Sequence, residues 1–123
     1  MFAAEKEQIG ALQKELERLG LDGVRVSHSA ERIVELLPED ADKGLALKRL
    51  CDETGIPLQK TVAIGDFYND LEMIKMAHFG VAVSNACREV QAAADLVVSS
   101  NRQNGVAEAI DYLMENSQRL FKG

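Results

Sequence analysis

Between residues 61 and 98 three short apolar runs recur, Thr61-Val62-Ala63-Ile64, Gly80-Val81-Ala82-Val83 and Leu96-Val97-Val98, with helix-like segments between them. None of the three alternates polar with apolar residues, so each needs cover on both faces. Such strands, spaced by helices, predict an α/β arrangement: a parallel sheet with helices on both sides. The spacing of apolar residues places helices over residues 43–54, 69–77, 86–94 and 105–114. The first of these has Ala46, Leu47, Leu50 and Cys51 as its inward face and Gly55 as its stop; the second has Leu71, Met73 and Ile74 as its apolar positions.

The residues before this pattern have a different texture. Ile9, Leu12, Leu16 and Leu19 fall at helical spacing within 4–19, and Gly20 ends that helix. Residues 24–27 and 32–36 are rich in β-branched and aliphatic side chains, with His28 to Glu31 between them, and predict a hairpin with one buried face. The polar stretch Pro38-Glu39-Asp40-Ala41-Asp42 is a natural boundary. It divides the chain into a helix-plus-hairpin unit, 1–38, and an α/β unit, 39–123. Neither unit contains internal repeats or low-complexity tracts.

Charge and composition exclude several classes of function. The chain has 14 basic and 20 acidic residues, a formal net charge of -6, and its densest basic pair, Lys48-Arg49, is followed by Asp52 and Glu53. A phosphate backbone would meet repulsion, so no nucleic acid partner is expected. No apolar run approaches the roughly 18 residues of a membrane span, and the first 20 residues carry charges throughout, so no membrane partner is expected either. Two distant cysteines, Cys51 and Cys87, fit a reducing, cytoplasmic setting and are expected to be buried thiols.

Chemistry concentrates at the end of the first apolar strand. Gly65-Asp66-Phe67-Tyr68-Asn69-Asp70 puts two carboxylates and an amide within six residues, where open parallel sheets bind ligands. Asp66 would project from the strand end and Asp70 from the first helical turn, towards one crevice. Such hard oxygen donors suit Mg²⁺, which takes one or two carboxylates together with waters and a substrate phosphate. Taken singly, Asn69 or Asp70 could equally be a helix cap. Lys43 is the second clue, because a cation at a helix start opposes the macrodipole. It could form a surface ion pair with Glu39, Asp40 or Asp42, or reach over the sheet edge to an anion. His28 and His78 have no second ligand at metal spacing and are expected to have no special role.

Taken in order, Lys43-Gly44, Gly65-Asp66-Phe67-Tyr68-Asn69-Asp70, Gly80 through Ala86, Ala94-Asp95-Leu96-Val97 and Asn101 through Ala107 resemble the C-terminal half of haloacid-dehalogenase-superfamily phosphatases, most of all the Cof-type branch. The resemblance covers roughly residues 32–114. It implies a Rossmann-like three-layer core, present in part, preceded by a remnant of that branch's α+β cap domain. It further implies that Asp66 is a Mg²⁺ ligand and that Asp70 supports the metal site. Asn69 would contact the substrate phosphoryl group, and Lys43 would neutralise the phosphate and the nucleophile. Asn85 and Asp95 are expected to hold loops. The implied partner is a small phosphorylated metabolite, sugar phosphates foremost.

One departure from the family pattern matters. The family's nucleophile is the first aspartate of Asp-x-Asp-Gly after an apolar strand, and it forms an aspartyl-phosphate. Here the one Asp-x-Asp is Asp40-Ala41-Asp42, which follows Pro38-Glu39 and precedes Lys43-Gly44-Leu45, the wrong context and the wrong place in the order. The family's Ser/Thr phosphate-binding motif is absent as well. The expectation is therefore a truncated or partial chain with little activity alone. The strand at 61–64 would then have an open apolar edge, to be covered by self-association or by a missing N-terminal portion. Two readings from other classes stay open. A two-component receiver domain shares the length, the acidity and the α/β pattern, though its lysine should follow the acceptor aspartate rather than precede the acidic turn. A non-catalytic binding module on the same fold is also compatible, since fold does not fix function.

Overall fold

The computed structural model describes residues 2–122 and shows the first unit as helix α1, Lys6–Arg18, lying on a small antiparallel sheet. Strands β2, Val24–Ala30, and β3, Ile33–Pro38, form the hairpin, longer than its composition predicts. A two-residue strand β1, Phe2–Ala3, pairs on the far side of β3, giving the order β1-β3-β2. Ile9 of α1 and Val34 of β3 are buried. With β3 central, β2 is an edge strand of this sheet among the described residues.

The second unit begins with helix α2, Lys43–Thr54. Its N-cap is Asp42, whose Oδ1 accepts the Leu45 N–H at 2.9 Å. Gly55 closes it with φ 73°, a conformation in which a Cβ is strained. Then follow β4, Val62–Gly65; a 3-10 turn, Tyr68–Asp70; α3, Leu71–Met76; β5, Phe79–Val83; α4, Arg88–Ala93; β6, Leu96–Val98; and α5, Gly105–Leu120. The strands are parallel in the order β4-β5-β6, so β5 is flanked on both sides and its Val81 and Ala82 have no exposed surface.

The two faces of this sheet differ in size, and that difference sets the layers. One face presents small residues, Ala63 and Gly65 on β4 beside Gly80 and Ala82 on β5. This lets α3 approach closely: a Cβ on Gly80 would sit 2.8 Å from Ile74 Cγ2. Alpha helix α4 shares that side, with Val90 fully buried, and α2 packs outside α3. The other face carries Val62, Ile64, Phe79, Val81 and Val83 and is covered by α5, through buried Ala109 and a stacked Phe79–Tyr112 pair 6.2 Å apart. The result is the expected three-layer α/β core, built on three strands.

Some sequence expectations need correction. Helix α2 does not bury Ala46 and Leu50; Leu50 is 57% exposed. Its inward line is Gly44, Leu47 and Cys51, because α2 docks on α3 through Gly44, where an added Cβ would lie 2.9 Å from the Glu72 carbonyl oxygen. The helix predicted over 69–77 opens as the 3-10 turn, and α5 runs six residues beyond its predicted end. Cys51 is buried, whereas Cys87 is only half-buried.

The outer edge of β4 has no strand beside it among the described residues. On α5, which packs over β5 and β6, Val106, Ile110 and Met114 form an exposed line at four-residue spacing, with Met114 73% exposed.

Candidate active site

Strand β4 ends at Gly65, and the chain folds back at once so that Asp70, four residues on from Asp66, lies beneath its own turn. Asp70 is almost wholly buried. Its Oδ2 accepts the Asp66 N–H at 3.0 Å and the Phe67 N–H at 3.5 Å, and its Oδ1 accepts a hydrogen bond from Lys43 Nζ. Burial alone would push the Asp70 carboxyl up. The Lys43 ammonium and the turn's backbone N–H groups outweigh that and hold it below the usual carboxylate range. Asp70 is therefore an ionised carboxylate with both oxygens engaged.

Lys43 reaches Asp70 across 27 residues of sequence rather than pairing with the acidic loop before it. Two of the loop carboxylates have other partners: Asp42 caps α2, and Asp40 pairs with Arg49 at 3.5 Å. Asp42 is thus occupied by a structural bond. Lys43 remains half-exposed, so its ammonium can face both Asp70 and an incoming anion.

Asp66 stands at the mouth of the same site, exposed, with its carboxyl close to that of Asp70. Partial burial, with the Asp70 charge beside it, raises its pKa above the ordinary value, and Lys43 only partly offsets this. An anion in this position is favoured by a nearby cation. A crevice of about 440 Å³ brings these groups together; Lys43, Asp66, Asp70 and Asn101 supply its polar wall, and Ile64 and Val106 its apolar one. Asn69, on the same turn, is not among the residues that line it.

The loops around the crevice are tied by side-chain amides. Asn85 and Asn101 exchange hydrogen bonds at 3.3 Å, linking the turn after β5 to the one after β6. Asp95 accepts the Gly80 N–H at 2.7 Å and fixes the start of β5. No three His, Cys, Asp or Glu side chains cluster to enclose a metal ion among the described residues. The donor chemistry still fits Mg²⁺, which does not need an all-protein cage: Asp66 presents an exposed carboxylate, and Asp70 orients the turn that carries it.

Sequence signals did not reveal how the hairpin meets this turn. His28 of β2 stands edge-on to Tyr68, with ring centroids 5.9 Å apart and planes at 72°. Nothing in the spacing of either residue points to the other.

Comparison with known proteins gives a consistent picture. The sequence pattern of haloacid dehalogenase-like hydrolases matches residues 1–110. The chain is 38% identical over 113 residues to Phosphatase YwpJ of Bacillus subtilis (strain 168), covering 92% of this chain and 39% of that protein. Among solved structures, a haloacid dehalogenase-like hydrolase from B. subtilis superposes with a TM-score of 0.80 at 38% identity, over 91% of this chain and 39% of that one. The subclass IIB sugar phosphatase BT4131 superposes with a TM-score of 0.74 at 25% identity, over 83% of this chain and 40% of that one. The 123 residues thus span about two fifths of the length of these relatives.

Proposed function

This chain belongs to the haloacid dehalogenase-like hydrolases, and on that premise we propose that it carries the lysine-and-acid half of a Mg²⁺-dependent phosphatase site for small phosphorylated metabolites, sugar phosphates foremost. The observation that carries this reading is the meeting of Lys43, Asp70 and Asp66 in one crevice at the carboxyl end of β4. In this reading residues 1–38 are the end of a cap and 39–123 the C-terminal half of the core.

The roles are those the family resemblance implies, and the meeting of Lys43, Asp66 and Asp70 supports them. Lys43, half-exposed and held by Asp70, neutralises the phosphate as charge builds in the transition state. Asp66 offers its exposed carboxylate to Mg²⁺, with Asp70 fixing the turn behind it. Asn69 is given the phosphoryl contact by the family resemblance alone, because it does not line the crevice. When bound, Mg²⁺ would polarise a phosphoryl oxygen as a Lewis acid. The attacking carboxylate of an aspartyl-phosphate mechanism is provided from outside these 123 residues, on a strand laid along the open edge of β4. Without it, the chain covers that edge by self-association. No helix among the described residues is long and apolar enough to cross a membrane. Two free cysteines accord with a cytoplasmic setting.

The test is titration of the purified chain with inorganic phosphate and with a hexose phosphate, with and without Mg²⁺. Saturable binding that needs Mg²⁺ and is lost in Lys43→Ala and Asp66→Ala is expected, with negligible turnover. EDTA-sensitive hydrolysis by the 123 residues alone would overturn the external nucleophile. Absence of any phosphate binding would overturn the reading as a whole.

A further inference from the structure

We infer that His28 is a positioning residue for the acidic turn: through its edge-on contact with Tyr68, the place of the hairpin sets the geometry of Asp66 to Asp70. The argument starts from how few connections the two lobes share. Apart from the covalent link into α2, the hairpin lobe meets the parallel-sheet lobe chiefly where β2, an edge strand of its sheet among the described residues, bears on the 68–70 turn. That turn carries the acidic cluster.

His28 is well placed to bear a load, because its ring is fixed from behind. Gln13 of α1 donates from Nε2 to Glu17 at 2.8 Å, which leaves Gln13 Oε1 as the acceptor for His28. The His28 Nε2–H is therefore the donor in the 2.5 Å bond between them, and that bond fixes the ring's orientation. On the other side, Tyr68 touches Phe67 edge-on, with centroids 5.0 Å apart. Its phenol end faces Glu89 of α4, while the ring itself is 43% exposed and a cavity of about 290 Å³ opens between it, Gln13, Ser27 and Leu71. A ring with space beside it depends on the few contacts it does make. Asn69 and Asp70 follow Tyr68 directly, so a shift of the ring moves their backbone and with it the Asp66 N–H bond to Asp70.

Amide hydrogen exchange on the full chain tests this without reference to metal, phosphate or turnover. His28→Ala is expected to speed exchange of the Asp66 and Asp70 amides roughly fivefold while leaving the Gly80 amide, which is bonded to Asp95, unchanged. His28→Phe, which keeps an aromatic edge against Tyr68, should return the turn towards wild-type exchange. Two results would overturn the inference: unchanged exchange at Asp66 and Asp70 in His28→Ala, or a uniform acceleration of all amides that includes Gly80, the mark of simple destabilisation. Loss of phosphate binding by the wild-type chain would sink the phosphatase reading and leave this exchange pattern standing.

Discussion

Gly65 and Asp70 approach so closely that a Cβ on Gly65 would lie 2.5 Å from the Cβ of Asp70. The acidic turn can fold over the end of β4 because position 65 has no side chain. Gly65→Ala must push Asp70 away from the Asp66 N–H and from Lys43. A stability loss of about 2 kcal/mol is expected from overpacking and the broken bonds, read by urea denaturation. Gly10 makes the control: a Cβ there meets nothing within 4 Å, and it sits inside α1. Gly10→Ala should raise stability by roughly 0.5–1 kcal/mol.

Asp70 gives the fold an acid-sensitive point. Its carboxyl titrates below its unfolded value, so its contribution is fully present above the unfolded pKa and is lost as pH falls through the folded one. Asp70→Asn removes the charge and therefore this part of the pH dependence. Urea midpoints should separate wild type from Asp70→Asn at pH 7 and converge below the ordinary carboxylate range. Equal separation at both pH values would show that Lys43 does not recognise the charge.

Asp66 has the opposite sign. Its folded pKa is raised, so folding favours its protonated form, and the ionised form costs stability above that pKa. Asp66→Asn should therefore raise the melting temperature near neutral pH. Added Mg²⁺ should raise the melting temperature of the wild type, and do so less as acid protonates Asp66. The same scans on Asp66→Asn should show no Mg²⁺ effect; an undiminished effect would place the cation elsewhere.

The open side of β4 predicts association. Val106, Ile110 and Met114 add an exposed apolar line on α5, and unpaired strand edges recruit partners. Sedimentation velocity should show concentration-dependent species. Ile110→Glu with Met114→Glu should shift them towards monomer with little change in melting temperature, because both side chains are already exposed. A wild-type chain that stays monomeric at high concentration would remove this surface from consideration.

Much of the architecture was legible in the residues. The strands at 61–64, 80–83 and 96–98 announce themselves because a strand buried on both faces must be apolar throughout, and Gly55 marks a helix end that needs a left-handed residue. The inward face of α2 was misread for a physical reason. Periodicity shows which residues are apolar, and Ala46 and Leu50 are apolar, yet no packed layer covers them among the described residues. In the same way, the acidic turn was visible in Gly65 to Asp70, but its division of labour was not. Both carboxylates look alike in sequence; burial and two backbone N–H groups single out Asp70.

The sequence by itself determined the element types, the parallel α/β class and the presence of a lysine and two aspartates near strand ends, because these follow from local periodicity and turn chemistry. Tertiary structure alone decided that Lys43 bonds to Asp70 rather than to the acids beside it, and that His28 meets Tyr68. Contacts between residues 27 and 40 positions apart depend on how layers stack. Stacking depends on where small residues such as Gly44, Gly65 and Gly80 let backbones draw close, which no local pattern records.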